Sequence, residues 1–271
     1  MKPTPKWTDE TYDTLDNLGV LYDHVGAYTT RADVAFYVDE VSSAADKVLE
    51  LASGTGRVLL PIARSGKEIV GIERSRTMLD RCREKLAAEP SEVRARVELR
   101  SADMRDFALD DRFAAAIIPF RAMQHILSID DQLACLDCIR RHLVPGGRLI
   151  FDVFNPNFAR LSAPAVDEFD DTPETALPDG SRFRRTGRIP AVHRVDQIND
   201  IELVYYITPP GGGAVERRVH SFPMRWYLRF ELEHLLARAG FTLDAFYGDF
   251  DRSVLTDDSP EIIVAARTGS W

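Results

Sequence analysis

Between residues 47 and 153, short apolar runs alternate with amphipathic stretches. The runs cover residues 47–51, 68–72, 94–99, 113–118 and 148–153. Residues 56–64, 76–88 and 130–143 lie between them and space their apolar positions as a helix does. Near-continuous apolar strands separated by helices predict a parallel sheet covered on both faces. Pro145, Gly146 and Gly147 predict that the last of these helices stops just before its strand. Upstream, residues 31–43 place Val34, Tyr37, Val38 and Val41 at i, i+3, i+4 and i+7, which predicts one more helix. Residues 1–26 are mixed polar and aromatic with little periodicity.

After Val153 the rhythm breaks. Residues 155–180, rich in Pro, Asp and Ala, predict a loop with at most one helical turn. Residues 182–225 are strand-like, and Pro209, Pro210, Gly211, Gly212 and Gly213 mark a reversal between residues 201–207 and 214–221. An antiparallel meander is therefore expected after strand five. A helix over 230–239 closed by Gly240, then strands over 241–248 and 261–267, complete the pattern. The implied plan is an N-terminal cap (1–45), an α/β core (46–153), a β insertion (154–228) and a segment completing the core sheet (229–271).

Composition narrows the class. The chain has 271 residues, 45% hydrophobic and 28% charged, enough apolar content for a substantial core and against general disorder. Its longest apolar stretch, Phe113 to Phe120, is far shorter than the roughly 20 residues of a membrane helix. The polar start, Met1 to Glu10, lacks a secretory core, so a cytoplasmic protein with no membrane partner is expected. A net charge of −9 disfavours nucleic acid as a partner, because phosphate backbones would be repelled. A homodimer is compatible with the sequence. Cys82, Cys135 and Cys138 form no disulfide framework. Cys135, Cys138 and His142 have metal-like spacing on one helix but supply only three ligands. Leu133, Leu136, Ile139 and Leu143 make that helix an ordinary packing element, and no metal is expected.

The strongest chemical signal runs Val48-Leu49-Glu50-Leu51-Ala52-Ser53-Gly54-Thr55-Gly56-Arg57. A buried strand ends at a carboxylate, turns through glycines and enters a helix, so that a ligand can approach the backbone and the helix's positive end. A dinucleotide site would want a third glycine, where Leu59 stands, and Glu50 suits a cation better than a pyrophosphate. Glu73 ends the second strand, 19 residues after Gly54, where a carboxylate can accept both hydroxyls of a ribose. Asp103 ends the third, where it can accept from an adenine amino group.

ELASGTGR, VGIERS, SADMRDF and LVPGGRLIFDVF, in this order and spacing, resemble class I S-adenosylmethionine-dependent methyltransferases. HSFPMRWYLRFELEHLLARAGF extends the likeness toward bacterial small-molecule enzymes of that superfamily. The resemblance implies a Rossmann-like, seven-stranded, mostly parallel sheet with helices on both faces, its last strand antiparallel. It implies S-adenosyl-L-methionine as cofactor and S-adenosyl-L-homocysteine as product. Glu50, Ala52, Ser53, Gly54 and Gly56 would line the methionine end, Glu73 the ribose, and Asp103 with Met104 the adenine. Tyr22, Arg31, Arg74, Met78, Phe120 and Arg121 join the expected cofactor surroundings, Tyr22 as part of an N-terminal segment folded over the cofactor. Ala52 departs from the glycine that many members carry there.

At the expected mouth, His125 follows strand four and is the candidate general base, since an unperturbed imidazole titrates near neutral pH. Tyr28, Gln124, Arg225 and Trp226 are the candidate acceptor pocket. The reading is an enzyme that methylates an N or O nucleophile of a small molecule by in-line displacement. Two alternatives stand beside it. One is an RNA or protein methyltransferase docking through Arg182, Arg184, Arg185, Arg188, Arg194, Arg217 and Arg218 of the insertion. The other is a non-catalytic module that binds the cofactor without turnover.

Overall fold

The computed structural model describes residue 15 and residues 17–43, 47–162 and 164–269. The chain forms two compact units, one of Met1–Arg31 with Asn157–Arg225, the other of Ala32–Pro156 with Trp226–Trp271. In chain order, α1 (Leu18–Asp23) and α2 (Gly26–Thr29) precede α3 (Asp33–Ser42). Then come β1 (Val48–Leu51), α4 (Leu59–Arg64), β2 (Ile69–Glu73), α5 (Arg76–Ala87), α6 (Ser91–Arg94) and β3 (Val97–Ser101). β4 (Phe113–Ile118), α7 (Ile129–His142) and β5 (Leu143–Phe154) follow. The insertion holds α8 (Phe158–Leu161), β6 (Ala165–Ala176), β7 (Arg182–His193), β8 (Ile198–Thr208) and β9 (Glu216–Arg225). The chain then adds α9 (Arg229–Arg238), β10 (Phe241–Tyr247) and β11 (Glu261–Thr268).

In the larger unit a seven-stranded sheet has the order β10-β11-β5-β4-β1-β2-β3. Strands β1 to β5 are parallel, while β11 runs antiparallel to both β5 and β10. This is the Rossmann-like, mostly parallel sheet expected, followed by an antiparallel four-stranded insertion of order β6-β7-β8-β9. Alternation along the strands sorts the core into two faces. Leu49, Leu51, Val70, Ile72, Ala116, Ile118, Phe151 and Val264 pack with α7 and α9, through Leu136, Ile139, Leu232 and Leu236. Val48, Ile69, Ala115, Ile117, Ile150 and Ile263 point the other way, onto Phe36, Tyr37 and Val41 of α3 and Leu59 and Ile62 of α4.

Two elements differ from the sequence pattern. Residues 165–176, expected in a loop, form the edge strand β6, which pairs with β7 alone. Most of its residues are exposed, so neither face carries an apolar period, and charge with a proline is how edge strands commonly look. Pro145, Gly146 and Gly147 lie inside β5, not ahead of it, because α7 ends at His142 and Leu143 already pairs with Phe113.

In the smaller unit, Leu15, Leu18, Leu21 and Val25 pack with Leu177, Phe183 and Tyr205 of the insertion. Arg185, only 2% exposed, stands in that face of the sheet. Its Nε donates to Asp171 Oδ2 at 2.6 Å, its Nη1 to the Tyr205 hydroxyl at 3.3 Å, and its guanidinium covers the Tyr28 ring at 4.9 Å. Four other insertion arginines have acid partners as well. Arg182 pairs with Glu174, Arg188 with Glu202, Arg217 with Glu168 and Arg218 with Glu216. The row is therefore not a bare basic stripe, and a charge reversal at Arg185 would break the fold of its unit before it tested any docking role. Removing a buried guanidinium strands its partners, so Arg185→Ala should lower stability by up to about 3–5 kcal/mol in urea unfolding. Arg184→Ala, which loses only contact with the Tyr206 ring at 3.9 Å, should cost about 1 kcal/mol or less.

Candidate active site

The turn after β1 is built on left-handed backbone. Ala52, Gly54 and Gly56 have φ of 53°, 56° and 78°. A Cβ on Gly56 would stand 2.7 Å from Cys82 Sγ and 3.3 Å from Leu60 Cγ, so glycine is needed for α5 to approach the turn. A Cβ on Gly54 would make only ordinary contact, 3.8 Å from Met78 Cε, so it is the positive φ that favours glycine there. Leu60 N already donates to Gly56 O, but regular helix begins only at Leu59 and lasts six residues, shorter than the sequence pattern implies.

Carboxylates gather beneath this turn. Glu50 is 2% exposed, and its Oε2 has no hydrogen-bond partner, nor has the buried Oγ of Ser53. Burial pushes the Glu50 carboxyl well above its usual range. Arg57 opposes that shift, and the neighbouring charges of Asp33 and Glu73 add to it. Glu73 Oε2 accepts from Gly54 N at 2.8 Å and its Oε1 from Ser75 N at 2.7 Å. Burial raises this carboxyl also, against the pull of those amides and of Arg74. At the tip of β3, Asp103 accepts from Arg105 N and Nε at 2.9 Å and from its Nη2 at 2.7 Å, with Arg74 Nη1 3.5 Å away. Burial opposes ionisation of Asp103, but these two arginines hold its carboxyl below the usual range. Met104, half-buried, packs against the adjoining core.

On the far side of β1, the segment after β4 makes a second strained turn. Phe120 and Arg121 are consecutive non-glycine residues at φ 59° and 64°. Arg121 Nη2 donates to Glu261 Oε1 at 2.5 Å, so its side chain is engaged with β11. Ala122–His125 then form a 3-10 turn. Gln124 is fully buried and its Oε1 accepts from Phe154 N at 2.9 Å. That bond satisfies a backbone amide at the end of β5 that would otherwise be buried without an acceptor. His125 is half-buried, and burial together with the charge of Arg74 pushes its pKa down to about 4. The imidazole is thus neutral at physiological pH and a weaker base than a free histidine.

Trp226 is buried in this unit. Tyr22, Tyr28, Arg31 and Arg225 belong to the other. There the Tyr22 and Tyr28 rings lie 4.8 Å apart, and Arg225 Nη1 donates to Asp196 O at 3.2 Å. On α7, Cys138 Sγ bonds the Phe107 carbonyl at 3.2 Å, and His142 Nε2 accepts from Leu109 N at 3.0 Å. Its Nδ1 therefore carries the proton and donates to Cys138 O at 2.7 Å. No group of three or more metal-ligating side chains occurs among the described residues.

Sequence reasoning passed over four residues of this site. Arg57 sits 2.7 and 2.6 Å from the two oxygens of Asp33, which is fully buried, and covers the Phe120 ring at 4.7 Å. Asp152, also fully buried, accepts at Oδ1 from Phe120 N at 2.8 Å and from the Tyr37 hydroxyl at 2.6 Å. A lone aspartate inside the apolar run Leu149-Ile150-Phe151-Asp152-Val153 was the available signal.

Residues 48–147 match a family model described as a methyltransferase domain. This segment is a methyltransferase domain of the class I S-adenosylmethionine-dependent kind. The chain is 27% identical over 245 residues to a dTDP-3-amino-3,6-dideoxy-alpha-D-glucopyranose N,N-dimethyltransferase of Streptomyces fradiae, covering 87% of this chain and 88% of that one. Its structure resembles that of the CcbJ methyltransferase of Streptomyces caelestis, with a TM-score of 0.76, 26% identity and coverage of 97% and 100%. It shares its fold with DesVI of Streptomyces venezuelae, at TM-score 0.68, 20% identity and coverage of 92% and 96%. No helix among the described residues is long and apolar enough to cross a membrane.

Two stability outcomes follow for this methyltransferase. A carboxyl whose folded pKa is raised costs stability as pH climbs from the unfolded pKa toward the folded one, because only the unfolded chain ionises it freely in that interval. Glu50→Gln should therefore gain in melting temperature over wild type as pH rises above about 4.3, the ordinary glutamate value. Alanine at φ 53° is disfavoured where glycine is not, so Ala52→Gly should gain up to about 1 kcal/mol in urea unfolding, although glycine also loosens the unfolded chain.

Proposed function

We propose that this methyltransferase moves the methyl group of S-adenosylmethionine to an amino nitrogen of a small molecule. The observation that carries this reading is the likeness, over 87% of this chain, to the Streptomyces fradiae relative named for N,N-dimethylation of an amino sugar. An amine needs only to be unprotonated when it attacks, whereas a hydroxyl acceptor needs a competent base, and burial leaves His125 a weak one.

The residues present fit the cofactor. The unpartnered Glu50 Oε2 and Ser53 Oγ suit its ammonium group, beside the left-handed backbone of Gly54. Of about four acceptor positions on a carboxylate, Glu73 has engaged the backbone amides of Gly54, Ser75 and Arg74, and its remaining capacity suits a ribose hydroxyl. Asp103, with three taken by Arg105, keeps one for an adenine amino group. Once bound, the cofactor supplies an electrophilic methyl on a sulfonium with a neutral thioether as leaving group. The acceptor's nitrogen lone pair forms the new C–N bond as the C–S bond breaks, and the resulting ammonium loses its proton to water. The chain's share is to align nitrogen and methyl at about 3–3.5 Å and to exclude water.

Calorimetry should give micromolar binding of S-adenosylmethionine to the wild type, weakened by about 1–3 kcal/mol in Asp103→Ala. Mass spectrometry with a 3-amino-3,6-dideoxyhexose nucleotide and its 3-hydroxy counterpart should show methyl gain on the amine alone. The rate should rise with pH through the amine's own pKa with no inflection near 6.5. Methylation of the hydroxyl sugar, or an inflection near 6.5 that disappears in His125→Ala, would return His125 to the role of base and overturn the amine reading.

A further inference from the structure

Two residues one turn apart on α3 close a circuit through both strained turns of the site. Asp33 grips the Arg57 guanidinium through both oxygens, and Arg57 in turn covers the Phe120 ring at 4.7 Å. The Phe120 N–H donates to Asp152 Oδ1, and the same oxygen takes the Tyr37 hydroxyl. Asp33, Tyr37 and Asp152 are all fully buried, so water cannot replace a bond that slackens. Phe120 and Arg121 hold left-handed backbone without being glycine, a conformation that persists only under outside restraint. Their turn runs straight into the 3-10 turn that ends at His125.

We infer that Asp33 and Tyr37 are positioning residues for methyl transfer. Acting through Arg57 and Asp152, they lock the glycine turn and the Phe120–Arg121 turn into one register, so that a ligand ordering the first also orders the second. Asp33 and Tyr37 lie at i and i+4 on a ten-residue helix, a spacing that puts them on one face and makes the helix a stiff link between the two contacts. The inference rests on the cofactor placement proposed above and is independent of which acceptor is used.

The test is hydrogen exchange of the intact protein over residues 119–126, with and without S-adenosylhomocysteine, alongside calorimetry of the same ligand. In the wild type, saturating ligand should slow exchange there by about tenfold or more. Tyr37→Phe, which removes one hydroxyl and little volume, should bind the ligand within about threefold of wild type yet lose most of that slowing. Asp152→Asn retains an acceptor oxygen and should keep the slowing, while Asp152→Ala should lose it. That pair reads the same link if Tyr37→Phe does not fold. A merely structural role would lower the melting temperature and leave the ligand-induced slowing intact. That pattern would overturn the proposal, as would binding to the wild type without any slowing over 119–126. No binding to the wild type would instead remove the cofactor placement on which the proposal stands.

Discussion

One face of the seven-stranded sheet ends in buried carboxylates, and the design of the site follows from how they are matched. Glu50 of β1, Glu73 of β2, Asp152 of β5 and Glu261 of β11 continue the alternation that turns Val48, Ile69, Ile150 and Ile263 toward α3 and α4. Four carboxylates at one edge of a low-dielectric layer repel one another and lose hydration, so each needs a specific answer. Arg121 meets Glu261, backbone amides meet Glu73, and Tyr37 with the Phe120 amide meets Asp152. Arg57 gives its bidentate bonds to Asp33 and reaches Glu50 by charge alone. Glu50 is therefore the group left incompletely matched, and a cation is the ligand that completes it.

The same logic links local strain to the chemistry. Backbone in sparsely populated regions needs contacts that over-determine it. Here the two turns that use left-handed residues flank β1, and each is held by buried polar bonds rather than by apolar packing alone. Such bonds are directional, so they fix position more narrowly than dispersion contacts of similar strength. A displacement reaction asks for that kind of placement, because its rate depends on the line through three atoms more than on any acid or base.

Much of this was legible in the sequence. The apolar runs located β1, β2, β4 and the buried stretch of β5 closely because these are buried on both faces and write their burial directly, whereas the half-exposed edge strand β3 was placed two to three residues early. The Glu50, Glu73 and Asp103 tips were readable because a carboxylate at a strand end interrupts an apolar run. Helix α3 was found by its stripe, but its chemistry was hidden. Asp33 at a helix start reads as an ordinary dipole partner, and Tyr37 counts as apolar in any periodic pattern. The bond that Gln124 makes to the Phe154 amide was not legible, because sequence places a side chain near a strand end without saying which way it points. β6 was missed for a deeper reason. Hydrophobic periodicity reports burial, and an edge strand dominated by Asp and Glu has little burial to report.

That acidic edge strand stores its alignment in charge. Glu168 receives Thr186, Tyr206 and Arg217 from three different strands, while Asp171 receives Arg185 and Glu174 receives Arg182, both from β7. A slip of one residue would turn Glu168, Asp171 and Glu174 to the opposite face and break these pairings. Where a hydrophobic strand is kept in place by the loss of water, β6 is kept in place by a lock-and-key of signs. The insertion can thus carry a long outer strand without offering a neutral, sticky edge to another chain.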